Sequence, residues 1–268
     1  VQVPKLVVFD VDGTLVNWDG EMTAVTANTL QQLRSMGIPI ALATGRPLAL
    51  ASKTVAIAGG ADWIVCGNGA ALRAVSTGKM LRDRALPDEI VEPLIEGMRD
   101  AVPGVGFAVE LADTIIEEAG FARRVPEESL APPVADVLPV FRAAPESVRR
   151  VLPFHDDYDE QLPELGKVAA QFVDDRCQVL SSGLPFVEVS PAGDHKAIAL
   201  QVLVDHMGIA AADVIAFGDG GNDLEMLRWA GTGVAMGNAR PEVQAAADAV
   251  TAPIDGAGIS EFLQPLVS

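Results

Sequence analysis

Positive charge is in short supply in this chain: its 268 residues carry 19 lysines and arginines against 37 aspartates and glutamates, a formal net charge of −18. Such a surface repels nucleic acid and anionic membrane at long range, which argues against both as partners. There are only five lysines, Lys5, Lys53, Lys79, Lys167 and Lys196, so any of them placed beside a polar cluster is informative. Cysteine is scarcer still. Cys66 and Cys177 stand in apolar runs without a Cys-x-x-Cys or Cys/His grouping, which points away from a disulfide framework or a zinc site and toward buried free thiols. No apolar run approaches the ~18 residues of a membrane span. The first residues show no basic region leading into an apolar stretch and a cleavage site, so a soluble, cytoplasmic protein is expected. Aromatics make up only 5% of the chain, yet hydrophobic residues reach 49%, enough to fill the core of one large domain or two modest ones.

What is present begins with Leu6-Val-Val-Phe-Asp10-Val-Asp12-Gly13-Thr14-Leu15, an apolar run ending in two carboxylates two residues apart and then a turn residue. A continuous Val/Ile/Leu/Phe run reads as a buried parallel strand. Ligands of open α/β sheets bind just past the carboxyl ends of such strands, so Asp10 and Asp12 are expected at a crevice. Like charges this close repel, and keeping both ionised requires a cation; oxygen donors with a backbone carbonyl between them suit Mg²⁺. A polar turn or a calcium loop is the bland alternative, but Val16-Asn17-Trp18 supplies none of the further oxygen ligands that a calcium loop needs.

A second apolar run, Val214-Ile-Ala-Phe217, opens into Gly218-Asp219-Gly220-Gly221-Asn222-Asp223. Asp219 is expected to ligate the same cation as Asp10 and the Asp12 carbonyl, with Asp223 acting directly or through a water and Asn222 reaching the phosphate side. Asn222 or Asp223 as a plain helix N-cap is the competing reading. After the strand expected over 38–43, the Thr44 hydroxyl and Gly45 amide stand where Pro47 announces a helix start, and they suit an anion. Lys196 offers a compact cation to a nucleophile and a transferring phosphoryl group. An ordinary cap with a surface Arg46, and a surface lysine, remain the alternatives for these two. His195 reads as a neighbour, because no Ser or Cys elbow accompanies it.

The order of elements predicts the architecture. A helix over 23–36 closed by Gly37, the strand over 38–43, and a strand over 63–66 with a turn at Gly67-Asn68-Gly69 make a β-α-β-α unit. From about 76 the pattern changes to a helix over 87–101, paired strands over 105–111 and 114–118, and a Pro-rich loop over 125–139. A strand over 148–154, a solvated acidic run over 156–160, a helix over 160–173 and strands over 177–181 and 185–189 follow. The α/β pattern then returns: helices over 196–207, 223–230 and 241–247 alternate with strands over 214–217 and 233–236. The expected fold class is α/β: a doubly wound, Rossmann-like parallel-sheet core formed by 1–75 and 190–268, with an inserted α/β domain over 76–189 that contains an antiparallel sheet.

In order, Asp10-x-Asp12-Gly13-Thr14-Leu15, Thr44-Gly45-Arg46, Lys196 and Gly218-Asp219-Gly220-Gly221-Asn222-Asp223 resemble the four signature motifs of the haloacid dehalogenase-like superfamily. More narrowly, Ala43-Thr44-Gly45-Arg46-Pro47, the Asn68-Gly69-Ala70 turn, the insert before Lys196 and the tail Gly233-Val-Ala-Met-Gly-Asn238-Ala239 resemble the Cof-type, subclass IIB sugar-phosphate phosphatases, whose cap lies where this insert lies. The resemblance implies a Mg²⁺-dependent phosphatase acting on a small phosphomonoester, a sugar phosphate or similar metabolite. Asp10 would become an aspartyl phosphate, Asp12 would serve as acid and then base, and Thr44 and Lys196 would bind the phosphoryl oxygens. Gly45, Arg46, Asn68 and Asn222 would complete the substrate contacts, Asp10, Asp12, Asp219 and Asp223 would hold the metal, and the insert would close as a lid. Trp18, Arg123 and His155 are further candidates for substrate selection. A phosphomutase of the same fold is the alternative. A phospho-aspartyl receiver needs only ~120 residues and no cap, so the insert argues against it.

Overall fold

The computed structural model describes residues 3–124, 131–143, 147–158, 161–180 and 185–267. The strands among these residues are β1 (Leu6–Asp10), β2 (Ile40–Ala43), β3 (Trp63–Cys66), β4 (Ala71–Ala74), β5 (Met80–Asp83), β6 (Gly106–Glu110) and β7 (Ile115–Glu117). They continue with β8 (Arg150–Phe154), β9 (Cys177–Leu180), β10 (Glu188–Pro191), β11 (Val214–Gly218), β12 (Thr232–Ala235) and β13 (Ala249–Val250). One sheet runs β13-β12-β11-β1-β2-β3-β4-β5 and the other β7-β6-β8-β10-β9. The chain accordingly forms two compact units. The first comprises the chain up to Arg46, Leu50–Asp83 and the chain from His195 onward; the second comprises Arg84–Asp194 with the short stretch Pro47–Ala49.

In the first unit β13 through β3 are parallel, and β4 and β5 add an antiparallel hairpin at the edge. β1 lies between β11 and β2, with Phe9 opposite Phe217 and Asp10 opposite Ala43. All of Leu6–Asp10 is buried, as a strand covered on both faces requires. The rings of Phe9 and Phe217 stack with centroids 5.2 Å apart. On one face the helix Lys196–Met207 sets Ala199, Leu200, Leu203 and Val204 against Leu6, Val8 and Val65, apolar residues at helical spacing meeting apolar residues at strand spacing. The helix Ala24–Ser35 starts at Thr23, whose hydroxyl accepts the Thr26 amide at 3.2 Å, and buries Leu30 and Leu33. Because β11, β1, β2 and β3 are parallel neighbours, their carboxyl ends share one rim.

The second unit is an antiparallel sheet whose strands send alternate residues to opposite faces. Phe107, Val109, Val151 and Val189 pack with Leu94, Ile95 and Met98 of the helix Asp88–Ala101 and with Leu165 and Ala169 of the helix Leu162–Ala169. Ala108, Ile115, Leu152 and Phe154 form a separate cluster with Phe121 and Phe186.

The structure departs from the sequence expectations in several places. No helix starts at Pro47; a single 3-10 turn, Leu48–Leu50, precedes the short helix Ala51–Ile57. The Leu48 amide, one of the donors that a helix start leaves without an intrahelical partner, donates to the Glu110 carboxylate at 3.0 Å. The Pro-rich stretch expected as loop over 125–139 lies outside helix and strand over 131–136, and only its last three residues enter the helix Val137–Ala143, whose Pro139 falls in the first turn, where a missing N–H breaks no intrahelical bond. The first part of that expectation, 125–130, lies outside the described residues, as do 159–160 of the acidic run, whose Asp156–Tyr158 forms a 3-10 turn with Asp156 and Asp157 exposed. The expected boundary at 75/76 falls inside the β4–β5 hairpin, so the first unit extends to Asp83, and the chain returns to it at His195. Among the described residues no helix is long and apolar enough to cross a membrane.

Candidate active site

The carboxyl end of β1 delivers Asp10 buried, at 6% exposure, and the chain then turns at Gly13. Gly13 has φ +85°, and a side chain there would run into the Asp219 carboxylate, so both conformation and space demand glycine. Thr14 Oγ1 donates to Asp219 Oδ1 at 2.9 Å, which ties the β1 turn to the β11 turn, and Asn238 Nδ2, beyond β12, donates to the Gly13 carbonyl at 2.8 Å and to Asp219 Oδ2 at 3.4 Å. Gly218 ends β11, and a Cβ on it would stand 2.6 Å from Asp223. That close approach lets Asp223 Oδ2 accept the amides of Asp219 (3.0 Å) and Gly220 (2.9 Å).

Lys196 joins the two acidic turns. It is the first residue of the helix Lys196–Met207 and fully buried, and its Nζ donates to Asp10 Oδ1 at 2.5 Å and to Asp223 Oδ1 at 2.6 Å. Burial alone would pull its pKa down, but Asp10 and Asp223 outweigh that and hold it above the usual lysine range. The carboxylates feel the reverse. Burial, then the charge of Asp223, pushes Asp10 well above the ordinary value, with Lys196 opposing. Burial likewise raises Asp219, against the Thr14 hydrogen bond, to about 6.

Oxygen atoms of Asp10, Asp219 and Asp223 all lie within 4.8 Å of one another. A set of carboxylate oxygens whose mutual repulsion a single ammonium only partly offsets fits a hard divalent cation such as Mg²⁺. Asp12, named in the sequence as a fourth ligand through its carbonyl, turns its carboxylate elsewhere: Arg46 Nε donates to Oδ2 at 2.9 Å and Nη2 to Oδ1 at 2.6 Å.

The second rim loop contributes a polar wall. Thr44 is fully buried; its Oγ1 accepts the Arg46 amide at 3.0 Å, which leaves its hydroxyl proton to donate. The Asn68 amide donates to the Thr44 carbonyl at 3.1 Å, and Asn222 Nδ2 donates to Asn68 Oδ1 at 2.9 Å. Asn68 has φ +53°, a left-handed conformation that asparagine tolerates, and Gly45 lies against its side chain. The structure thus brings Asp10, Asp12, Thr44, Gly45, Arg46, Asn68, Lys196, Asp219, Asn222 and Asp223 into one unit, on loops at the carboxyl ends of β1, β2, β3 and β11 and at a helix start. Trp18 belongs to the same unit and is 78% exposed, whereas Arg123 and His155 belong to the other. Thr14 and Asn238, which orient Asp219, carried no chemical expectation of their own, although both stand inside the motifs that carry the family resemblance.

The family model described as haloacid dehalogenase-like hydrolase matches residues 7–263. Among curated proteins, an HMP-PP phosphatase of Cronobacter sakazakii is 31% identical over 249 residues, covering 90% of this chain and 87% of its own. Among solved structures, a haloacid dehalogenase-like hydrolase from Bacteroides thetaiotaomicron superposes with a TM-score of 0.86 at 30% identity, covering 98% of this chain and 99% of that one. A HAD subclass IIB sugar phosphatase gives a TM-score of 0.79 at 28% identity, over 97% of this chain and 98% of that one.

Proposed function

The chain belongs to the haloacid dehalogenase-like hydrolases and is a phosphatase of that family, and from this premise we propose that it hydrolyses a small phosphomonoester, a sugar phosphate or similar metabolite, through a phosphorylated Asp10. The observation that carries the reading is Lys196, buried and shared between Asp10 and Asp223 beside Asp219. An ammonium held there neutralises a carboxylate nucleophile's surroundings and stands ready for a dianionic phosphoryl group.

In the first half-reaction an Asp10 oxygen attacks phosphorus, the bond to the ester oxygen breaks, and Asp12 gives that oxygen a proton. In the second, water attacks the same phosphorus, Asp12 takes the water proton, and Asp10 is released as carboxylate with inorganic phosphate. The Thr44 hydroxyl, Lys196 and Asn222 bind the phosphoryl oxygens. Asp10, Asp219, Asp223 and the Asp12 carbonyl would hold Mg²⁺, which when bound offsets the charge that gathers on the phosphoryl oxygens. The second unit, Arg84–Asp194 with Pro47–Ala49, is assigned the role of cap, selecting the leaving group and excluding water. The resemblance to a sugar phosphatase and to an HMP-PP phosphatase supports a small phosphorylated metabolite as substrate.

The test is phosphate release across a panel of sugar phosphates and other small monoesters, by the native chain and by Asp10→Asn, with mass spectrometry of acid-quenched enzyme. Turnover by the native chain, a phosphoryl adduct on the Asp10 peptide and silence in Asp10→Asn are expected. Equal turnover by the variant would remove Asp10 from the chemistry.

A further inference from the structure

The sequence groups Arg46 with the substrate ligands, but the structure gives two of its donors another occupation. Its Nε and Nη2 meet the two oxygens of Asp12 side by side, at 2.9 and 2.6 Å, the paired geometry in which a planar guanidinium matches a carboxylate. Arg46 is itself held at both ends of its backbone: its amide donates to Thr44 Oγ1 at 3.0 Å, and its carbonyl accepts the Gly67 amide at 2.9 Å. Its side chain is only 10% exposed, while that of Asp12 is 31% exposed. A well-anchored cation thus holds a carboxylate that stands in partial contact with solvent.

The asymmetry matters for chemistry. Asp12 lies two residues past the end of β1 and has two side-chain torsions, and a carboxyl free to rotate about them would present its oxygens in many directions. Paired contacts to both oxygens remove the rotation about the Cβ–Cγ bond and set the carboxyl plane. Proton transfer to a departing oxygen is sensitive to that alignment, and small misplacement of a reacting group is expensive in rate. The phosphoryl group has other partners within the same unit, in the Thr44 hydroxyl, Lys196 and Asn222.

We propose that Arg46 is a positioning residue for Asp12: it sets the carboxyl plane for proton transfer to the leaving oxygen and from water, and it is not a grip on the phosphoryl group. This rests on the proton-transfer role of Asp12 proposed above. The consequence is a dependence on the leaving group. An alkoxide needs the proton and a nitrophenolate scarcely does, so loss of alignment harms only the former in kcat/KM, which reports the steps up to phosphoryl transfer to Asp10.

The experiment measures kcat/KM for an alkyl phosphate and for 4-nitrophenyl phosphate, with inhibition by inorganic phosphate, in the full chain. The native protein is compared with Arg46→Lys, Arg46→Ala, Asp12→Asn and the Arg46→Ala/Asp12→Asn pair. Arg46→Ala is expected to lose about 10- to 100-fold on the alkyl ester and less than about threefold on the aryl ester, with phosphate inhibition unchanged. Arg46→Lys keeps the charge but not the paired contact, so it should show the same pattern less deeply, and it serves if the alanine variant does not fold. In the Asp12→Asn background, Arg46→Ala should cost nothing more, as expected of residues acting in one unit. Equal losses on both esters with weakened phosphate inhibition would overturn the proposal in favour of a phosphate ligand, and no loss on either would overturn it outright. The reading beneath it fails differently: a native chain without turnover removes the phosphatase chemistry, and full alkyl-phosphate activity in Asp12→Asn removes the proton-transfer role.

Discussion

Lys196 is a single ammonium set among Asp10, Asp219 and Asp223, and the balance shows in their protonation. Asp10 is pushed up by burial and Asp219 rises to about 6, so each favours its protonated form in the folded chain more than in the unfolded one. A carboxyl raised in this way contributes stability at low pH, and for Asp219 that contribution is lost as pH climbs from the ordinary value near 4 through about 6. A divalent cation must find these groups deprotonated and then relieves their repulsion. The rise in Tm on adding Mg²⁺ should therefore be small at about pH 5 and several degrees at about pH 7.5; equal rises at both would show that the acidic cluster is not where the ion binds. At this scale Asp10, Asp12, Asp219 and Asp223 were legible because carboxylates that abruptly follow an apolar run have few structural reasons to be there, and Lys196 because lysine is so scarce in the chain. Thr14 and Asn238 were not, since hydroxyl and amide residues are common in any turn.

Among elements, the strands of the first unit read plainly because a strand buried on both faces must be apolar throughout. The second unit contains a charged group inside its strands that no such pattern announces. Arg150 on β8, 2% exposed, pairs with Glu110 on β6 at 2.5 Å and with Glu188 on β10 at 2.9 Å. Glu110 and Arg150 are direct cross-strand partners. Removing the cation leaves two buried carboxylates without it, which costs far more than the pair contributes as a pair. Arg150→Met is expected to destabilise the chain by about 3–5 kcal/mol in urea unfolding, and a loss below about 1 kcal/mol would mean that these groups reach water on their own. The helix expected at Pro47 illustrates the same limit. Pro47 does precede the 3-10 turn Leu48–Leu50 and the helix Ala51–Ile57, but the acceptor of the Leu48 amide is Glu110, 62 residues away in sequence, and local grammar carries no notice of such a partner.

For the molecule as a whole, a net charge of −18 sets a self-repulsion that folding concentrates into a smaller volume. In the presence of chelator, raising NaCl from about 20 mM to about 300 mM should raise Tm, because the screening length falls to a few ångströms. A flat or falling Tm over that range would mean that the ion pairs of the chain, which salt weakens, outweigh its excess of acid. Charge and mean composition were available from residue counts alone, whereas the join between the two segments of the first unit was not. Thr14 and Asp219 are 205 positions apart and 2.9 Å apart.

The sequence by itself determined the α/β class, the parallel strands and the set of acidic, hydroxyl and lysine groups, because continuous apolar runs and carboxylates stationed at their ends are local patterns with local physical causes. Only the tertiary structure decided which of those groups touch. It placed Lys196 between Asp10 and Asp223 and turned Arg46 toward Asp12. It also closed β11 onto β1 across an insertion of more than a hundred residues. Those are contacts between segments remote in sequence; their energies depend on distance and burial, and a linear chain specifies neither until it has folded.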